Sequence, residues 1–168
     1  MAQPYENKTI DDALELLTTN GGNDDAEELI SDGSMYRNST DLEMSYDDFQ
    51  GGLQIIGMRF TGLAIPQGAT IDSAYIEFEI DETDSGTTNL VISGEEIDDA
   101  GTFAAGANDI SNRTATTASV NWSPGPWNTV NELHQTTDIS TIIKEIIDRP
   151  GWVSGNDLVI IIGPGTAV

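Results

Sequence analysis

The amino-acid sequence predicts an all-β fold, an antiparallel β-sandwich with one short capping α-helix near residues 138–149. Three observations support this prediction. From Asp24 onward, apolar residues recur at every second position in short bursts, which is the pattern of half-buried strands. Glycine, aspartate, asparagine, serine and proline separate the bursts, as expected of turns between strands. A single segment has instead the periodicity of a helix.

We expect about seven strands. The alternating bursts lie at residues 24–29, 42–46, 53–60, 73–80, 89–93 and 118–122. Residues 158–162 form a continuous apolar run, which is typical of a strand that is covered on both faces. Because the turn sequence Ile65-Pro66-Gln67-Gly68 separates residues 53–60 from residues 73–80, we expect these two strands to pair or to lie side by side.

The helix is predicted from five isoleucines that share one face. They are Ile139, Ile142, Ile143, Ile146 and Ile147, at spacings of three, four, seven and eight residues from the first. Thr137 or Asp138 is expected to cap its start, and Arg149-Pro150-Gly151 to end it. We expect the isoleucine face to pack across an open end of the sandwich and seal its core, because β-branched side chains of this kind are typical of packing.

The chain divides into an acidic N-terminal extension, residues 1–23, and a β-sandwich domain, residues 24–168. The extension contains Asp11-Asp12-Ala13-Leu14-Glu15-Leu16, which resembles Asp24-Asp25-Ala26-Glu27-Glu28-Leu29 thirteen residues later. Two interpretations are open. The similarity is accidental within an acidic linker, or residues 10–17 are a second strand that can be donated to another sheet.

Charge excludes several classes of function. Twenty-nine acidic residues face six basic ones, which gives a net charge of -23. Such a surface repels nucleic acids and anionic membranes and attracts cations. No apolar run approaches the ~20 residues that span a bilayer, so we expect no membrane insertion. With no cysteine and only His134, thiolate and multi-histidine metal sites are excluded, and oxygen ligands remain, the set that calcium prefers.

Calcium is therefore the expected cofactor. The best candidate ligands belong to two acidic clusters, at the first strand and after the strand at residues 89–93: Asp24, Asp25, Glu27, Glu95, Asp98 and Asp99. Acidic loops at strand ends can supply the six to eight oxygens that calcium needs. The alternative is that these carboxylates are hydrated surface groups, and that Asp98-Asp99 forms a turn. No cluster has the spacing of an EF-hand.

Aromatic residues provide a candidate carbohydrate site. Trp122-Ser123-Pro124-Gly125-Pro126-Trp127 places two flat rings around a loop that proline stiffens, and such rings can stack on sugars. Trp127, Trp122 and Tyr46 are the candidate ligand-binding residues, although Trp122 ends an apolar strand and also fits the core. Asn7, Asn38 and Asn112 begin glycosylation sequons, which matter only in an extracellular protein.

No catalytic motif is present in the sequence. It lacks a Gly-x-Ser-x-Gly elbow, a phosphate-binding glycine loop and a His-Glu-x-x-His helix. Paired carboxylates can hydrolyse glycosides, but only at a defined separation and with one raised pKa, and chance pairs are inevitable in so acidic a chain. We therefore predict that the protein is not an enzyme.

Several motifs together resemble a known type of module. In chain order they are Asp24-Asp25-Ala26-Glu27-Glu28, Asp41-Leu42-Glu43, Gly57-Met58-Arg59-Phe60-Thr61-Gly62, Ile65-Pro66-Gln67-Gly68-Ala69, Ala74-Tyr75-Ile76, Gly94-Glu95-Glu96, Val120-Asn121-Trp122 and Arg149-Pro150-Gly151-Trp152. The chain resembles β-sandwich accessory modules of large secreted bacterial proteins, similar to DNRLRE-type and other carbohydrate-binding jelly rolls. The resemblance implies a jelly-roll sandwich, an extracellular or cell-surface location and an accessory, non-catalytic role.

Two functions are consistent with these expectations. The first is an extracellular structural or adhesive protein, a homo-oligomer or filament subunit that assembles by strand donation and binds calcium. Modules of this type continue with a further strand after the Gly163-Pro164-Gly165 turn, whereas this sequence ends at Val168, and residues 10–17 of another copy are the expected replacement. The second is a monomeric carbohydrate-binding module whose partner is a polysaccharide.

Overall fold

The structure is a computed structural model that describes residues 23–39, 41–86 and 88–165. Its elements in chain order are β1 (Asp25–Leu29), β2 (Met35–Tyr36), β3 (Tyr46–Asp47), β4 (Gly52–Phe60), β5 (Glu77–Glu79), β6 (Leu90–Glu95), β7 (Ala115–Trp122), β8 (Leu133–Gln135), α1 (Ser140–Ile147) and β9 (Leu158–Pro164). The predicted all-β class and the single helix are confirmed. Residues 1–22 of the predicted extension, and with them the expected donor strand at residues 10–17, lie outside the described residues.

All strand pairs are antiparallel and form two sheets. The larger sheet has seven strands in the order β2-β1-β4-β9-β6-β7, with β3 also paired to β4, and the smaller sheet is the pair β5-β8. β9 lies near the middle of the larger sheet, between β4 and β6. Leu158, Ile160 and Ile162 project into one core cluster, while Val159 and Ile161 meet a second cluster. The prediction that this apolar run is covered on both faces is confirmed.

The larger core lies between the seven-stranded sheet, α1 and the segment at residues 61–76. Isoleucines dominate it, and the four isoleucines of α1 are all buried. Trp152 is also buried here, and its indole Nε1 donates a hydrogen bond to the Ile65 carbonyl over 2.9 Å. Phe78 of β5 stacks on Trp122 of β7 with ring centroids 5.6 Å apart, which joins the small sheet to the large one.

The segment at residues 96–114 covers the opposite face of the large sheet. Phe103 and Ile110 are fully buried there against Ala26 and Val159. The Arg113 guanidinium lies 4.4 Å above the centre of the Phe103 ring and closes this second core from the solvent side. The middle of the large sheet, around β9, is therefore covered on both faces by different parts of the chain.

The helix packs against β6 and β7. The N-cap position is Ile139, not the expected Thr137 or Asp138, and Ile139 makes no side-chain capping bond, although the Asp138 carboxylate still binds the first N–H of the helix. This carboxylate accepts from the backbone N–H of Ser140, over 2.9 Å, and of Ala74, over 3.0 Å. Asp138 therefore ties the start of the helix to the segment at residues 61–76.

The expected pairing of residues 53–60 with residues 73–80 is wrong. β4 pairs with β1, β3 and β9, whereas β5 is only three residues long and pairs with β8. Residues 61–76 pack across the core instead of turning back along β4. Leu63, Ile65 and Ala74 are buried in that core. The backbone N–H of Ile76 donates to the Thr136 hydroxyl, not to a β4 carbonyl.

The predicted strand at residues 42–46 is also largely wrong. Of these residues only Tyr46 belongs to a strand, β3, while Leu42 and Met44 pack onto the core from an irregular segment. Alternation of apolar residues here reflects contact with the core rather than strand pairing. Two short strands, β2 and β8, were not predicted, since two or three residues are too few to show a period.

Among the glycines of the strands, Gly57 in β4 has the closest packed neighbour. A Cβ atom at Gly57 would lie 2.5 Å from Cζ of the buried Phe103 ring, whereas at Gly163 of β9, on the same face, the nearest atom is 3.8 Å away. We predict that Gly57→Ala lowers the free energy of unfolding by about 1–3 kcal/mol, because the rigid ring cannot move aside. Gly163→Ala is the control and should leave stability unchanged or raise it slightly. Urea unfolding midpoints measure both, and equal midpoints for the two variants would contradict the packing described.

Candidate cation site at a buried carboxylate cluster

The predicted metal-binding residue Asp24 is held in an ion pair. It binds the Arg59 guanidinium, which also binds the Asp157 carboxylate and donates to the Ala100 carbonyl over 2.7 Å. Arg59 therefore joins the strand end at Asp24 to the ends of two other segments. Asp24 already has a cationic partner and acts as a structural cross-link.

The second predicted group, at the end of β6 and just after it, is engaged in a similar way. Glu95 pairs with Arg113 at 2.6 Å, and Asp98 pairs with Arg149 at 2.7 Å. Asp99 Oδ1 accepts from the backbone N–H of Asp157 over 2.9 Å. Each of these three carboxylates thus binds a different donor of the protein, and the three do not share one site.

Glu27 differs from all of these residues. It lies in the middle of β1 with 1% of its surface exposed, and its Oε1 accepts from the backbone N–H of Glu43 over 2.7 Å. Its Oε2 is buried and has no hydrogen-bond partner. The neighbouring Glu28 points to the opposite face, where its Oε2 accepts from the N–H groups of Ile110 and Ser111. Both of these adjacent buried carboxylates accept backbone N–H bonds, but only Glu27 has a buried oxygen without a partner.

Asp47 and Gln54 supply further oxygens on the Glu27 side. Asp47 Oδ1 accepts from the N–H groups of Phe49 and Gln50, and its Oδ2 accepts from Gln54 Nε2 over 3.1 Å. Because a carboxylate can only accept, Asp47 fixes the Gln54 amide with Nε2 toward itself. The remaining Gln54 Oε1 is buried without a partner, and so is Oε1 of Gln50 in the adjoining turn.

Strand register explains why these groups share one place. Glu27 lies opposite Ile56 in the β1–β4 pair, and Gln54 lies two residues before Ile56. Diagonal neighbours on one sheet face have Cα atoms about 7–8 Å apart, within reach of long side chains. β3 pairs with the start of β4 and brings Asp47 to the same end. We call Glu27, Asp47, Gln50 and Gln54 the Glu27 cluster.

The electrostatic environment of the cluster is uniformly negative. Burial raises the pKa of Glu27 to about 7, and the charges of Glu43, Asp41 and Asp47 add to the rise against the lowering effect of the Glu43 N–H bond. The pKa of Glu43 is raised as well, by burial and then by neighbouring carboxylates. Burial is likewise the main cause of the raised pKa of Asp25, which lies on the same face of β1.

The chemistry of the cluster follows from its atoms. Its unpartnered atoms are all acceptors, so either a proton or a hard cation can satisfy them. Within the described ranges no group of three or more acidic or histidine side chains is placed to hold a metal by itself. A metal here would need amide and backbone oxygens beside the carboxylates, which is the mixed ligand set that calcium accepts.

Sequence reasoning selected Glu27 but missed the amides. Gln54 carries a signal that could have been used, because it occupies a core-facing position in the alternation Gln54, Ile56, Met58 of β4. A glutamine on the apolar side of a strand needs a buried partner. Gln50 carries no such signal, since glutamine before two glycines looks like an ordinary turn residue.

The aromatic candidates fall in different environments. Trp122 is buried in the core, whereas Tyr46 has 54% of its surface exposed. Trp127 is half-buried, exchanges two backbone hydrogen bonds with Asp84, both 2.8 Å long, and lines a small surface cavity. Thr88 and Pro124 line the same cavity.

The candidate glycosylation sites Asn38 and Asn112 are both exposed. Asn7, the third candidate, lies outside the described residues.

Comparison with known proteins gives no match. No protein-family model, no curated protein and no solved structure matches the chain. No helix among residues 23–39, 41–86 and 88–165 is long and apolar enough to cross a membrane.

The raised pKa of Glu27 makes stability depend on pH. Below about pH 4.5 the carboxyl is neutral in the folded and unfolded states alike. As pH rises from there to about 7, the unfolded state loses the proton first, and folded stability falls by ~3 kcal/mol. We predict that Glu27→Gln, measured with EDTA present, is more stable than the native protein at pH 8 and about equal to it at pH 5.

The measurement is urea unfolding of both proteins at the two pH values. The amide introduced by Glu27→Gln can still accept from the Glu43 N–H and can donate from its nitrogen, so the variant creates no new buried charge. A variant less stable than the native protein at pH 8 in EDTA would show that the ionised Glu27 has a partner within the fold.

Proposed function

We propose that this protein is a non-catalytic, extracellular or cell-surface structural or adhesive protein that assembles into filaments by strand donation, with bound calcium. We also propose that the arrangement of its strands is a jelly-roll sandwich. Two antiparallel sheets that contact the same core through Phe78 and Trp122 support this assignment. One observation carries the proposal: the sequence of β1, a fully buried strand, recurs in the N-terminal extension.

The recurrence is close at the residues that form the strand. β1 has the sequence Asp-Ala-Glu-Glu-Leu, all five residues of which are buried, and residues 12–16 read Asp-Ala-Leu-Glu-Leu. The one difference places Leu14 where β1 has Glu27. A sequence that forms a buried strand at one place is suited to form one at another, and the β1 position in its own sheet is already filled.

An acceptor edge is available on β7. Within the described residues β7 pairs with β6 alone, and it ends the sheet order. Glu145 of α1 covers part of the free edge, since its carboxylate accepts from the N–H groups of Thr117 and Ala118, both over 2.7 Å. The edge from Ser119 to Trp122 has no strand partner in this part of the chain. Unpaired edges of this kind are templates for a strand from another chain.

Charge supports a role for calcium in such an assembly. Each copy carries a net charge of -23, so copies repel one another. The five basic side chains within the described ranges already bind groups of their own chain: Arg37, Arg59, Arg113, Lys144 and Arg149. Contacts between copies therefore gain little from these five side chains, which leaves a larger share to backbone hydrogen bonds, apolar surface and added cations.

A specific observation also favours the second candidate function, carbohydrate binding by a monomer. The cavity at Trp127 combines an aromatic ring with the polar side chains of Asp84 and Thr88 and a loop stiffened by Pro124. Rings and hydrogen-bonding groups in this combination suit sugars. The surface cavity is small, which favours contact with one or two rings of a chain.

The assembly prediction uses proline to block strand pairing. Ala13→Pro removes a backbone N–H from the middle of the donor segment, and we expect it to convert filaments into monomers, because proline interrupts a β-ladder. Ala2→Pro is the matched control outside the repeat and should assemble like the native chain. Size-exclusion chromatography and electron microscopy measure the outcome, and filaments that persist in Ala13→Pro would refute strand donation by this segment.

The carbohydrate prediction concerns Trp127. If the cavity binds sugars, Trp127→Ala should weaken retention on a polysaccharide affinity gel by about fivefold, through loss of stacking worth about 1 kcal/mol. Phe49→Ala is the control, because Phe49 is the most exposed large aromatic side chain of those described, at 96%, and lies away from the cavity lining. Equal retention of both variants would exclude the cavity as the sugar site.

A further inference from the structure

The Glu27 cluster contains buried oxygens for which the described residues provide no hydrogen-bond donor. Oε2 of Glu27 and Oε1 of Gln54 belong to side chains that are 1% and 0% exposed, and neither atom has a partner. Unpaired polar groups at such depth are costly, and an unpaired carboxylate is the most costly of them. No basic side chain of the described residues neutralises this charge, since no ion pair there involves Glu27, Asp47 or Glu43.

We infer that the Glu27 cluster is a binding site for a calcium-like divalent cation, with Glu27 Oε2 and Gln54 Oε1 as ligands. The inference deepens the calcium part of the proposed function by giving the ion a place, and it does not depend on strand donation. Asp47 Oδ2, which has a second lone pair beyond its bond to Gln54 Nε2, is a further candidate ligand next to the Gln54 amide.

The donor set favours calcium over other metals. All of the available atoms are carboxylate or amide oxygens, and nitrogen and sulfur ligands are absent from the cluster. Magnesium prefers to retain several waters in a small octahedral shell, which suits an enclosed site poorly, whereas calcium accepts carbonyls in irregular geometry. Asp41 and Glu43 raise the negative potential at the cluster and so strengthen the attraction for any divalent ion.

Occupation of this site would connect three parts of the chain. Glu27 belongs to β1, Gln54 to β4 and Asp47 to β3, and the irregular segment at residues 41–45 lies against Glu27 through the Glu43 N–H. Met44 of that segment lines the Trp127 cavity. A bound ion would therefore hold the segment that shapes the cavity, at one end of the large sheet.

The test measures thermal unfolding at pH 8 with either EDTA or calcium chloride, with sodium chloride added to equal ionic strength. At about a hundredfold excess of calcium over its Kd, we expect the Tm of the native protein to rise by about 5–10 °C. Glu27→Gln should lose this shift. Glu28→Gln, which alters the adjacent buried carboxylate on the other face, should keep it whatever its own stability.

Each outcome has a distinct meaning. A shift of equal size in Glu27→Gln would place calcium elsewhere, and no shift in the native protein would mean that the cluster holds only a proton or a water molecule; both overturn the site. If Glu27→Gln does not fold, Gln54→Leu removes the other ligand and should lose the shift in the same way. Persistence of filaments in Ala13→Pro together with an intact calcium shift would refute strand donation alone.

Discussion

The structure depends on the burial of β9 on both faces. A strand with the sequence Leu-Val-Ile-Ile-Ile in the middle of a sheet needs two covers, and the chain supplies α1 with residues 61–76 on one side and residues 96–114 on the other. Three arginines hold these covers in place: Arg59, Arg113 and Arg149. Each one joins a loop to a carboxylate at the end of a distant segment, so the few basic residues of the chain are used where the sheet must be enclosed.

Because the basic residues are used in these cross-links, the remaining carboxylates have no basic partner, and this matters most where a carboxylate is buried. Most carboxylates lie on the surface and are hydrated, and others are paired with arginine or backbone N–H groups. Glu27 differs from both classes, because one of its buried oxygens accepts from the Glu43 N–H while the other has no partner, and no basic side chain of the described residues pairs with it. The cost is tolerable when a proton or a metal ion completes the cluster, which links the fold to the composition of the medium.

The sequence predicts the main sheet well and the connections poorly. The residues of β4, β6, β7 and β9 and the isoleucine face of α1 follow from period alone, since each pattern is long enough to be unambiguous. The path of residues 61–76 does not follow, because Ile65 and Ala74 alternate with polar residues yet pack as a crossing segment. For the site, acidic composition indicates Glu27, but the unmatched amide of Gln54 depends on strand register, which one sequence does not reveal.

The carboxylate of Glu145 limits how another chain can approach β7. It occupies the N–H groups of Thr117 and Ala118, so a strand that leaves it in place can dock only along the four residues from Ser119 to Trp122. A contact that short is weak when isolated. An assembly that used this contact would be reversible. Its stability would depend on many weak contacts between copies instead of a few strong ones.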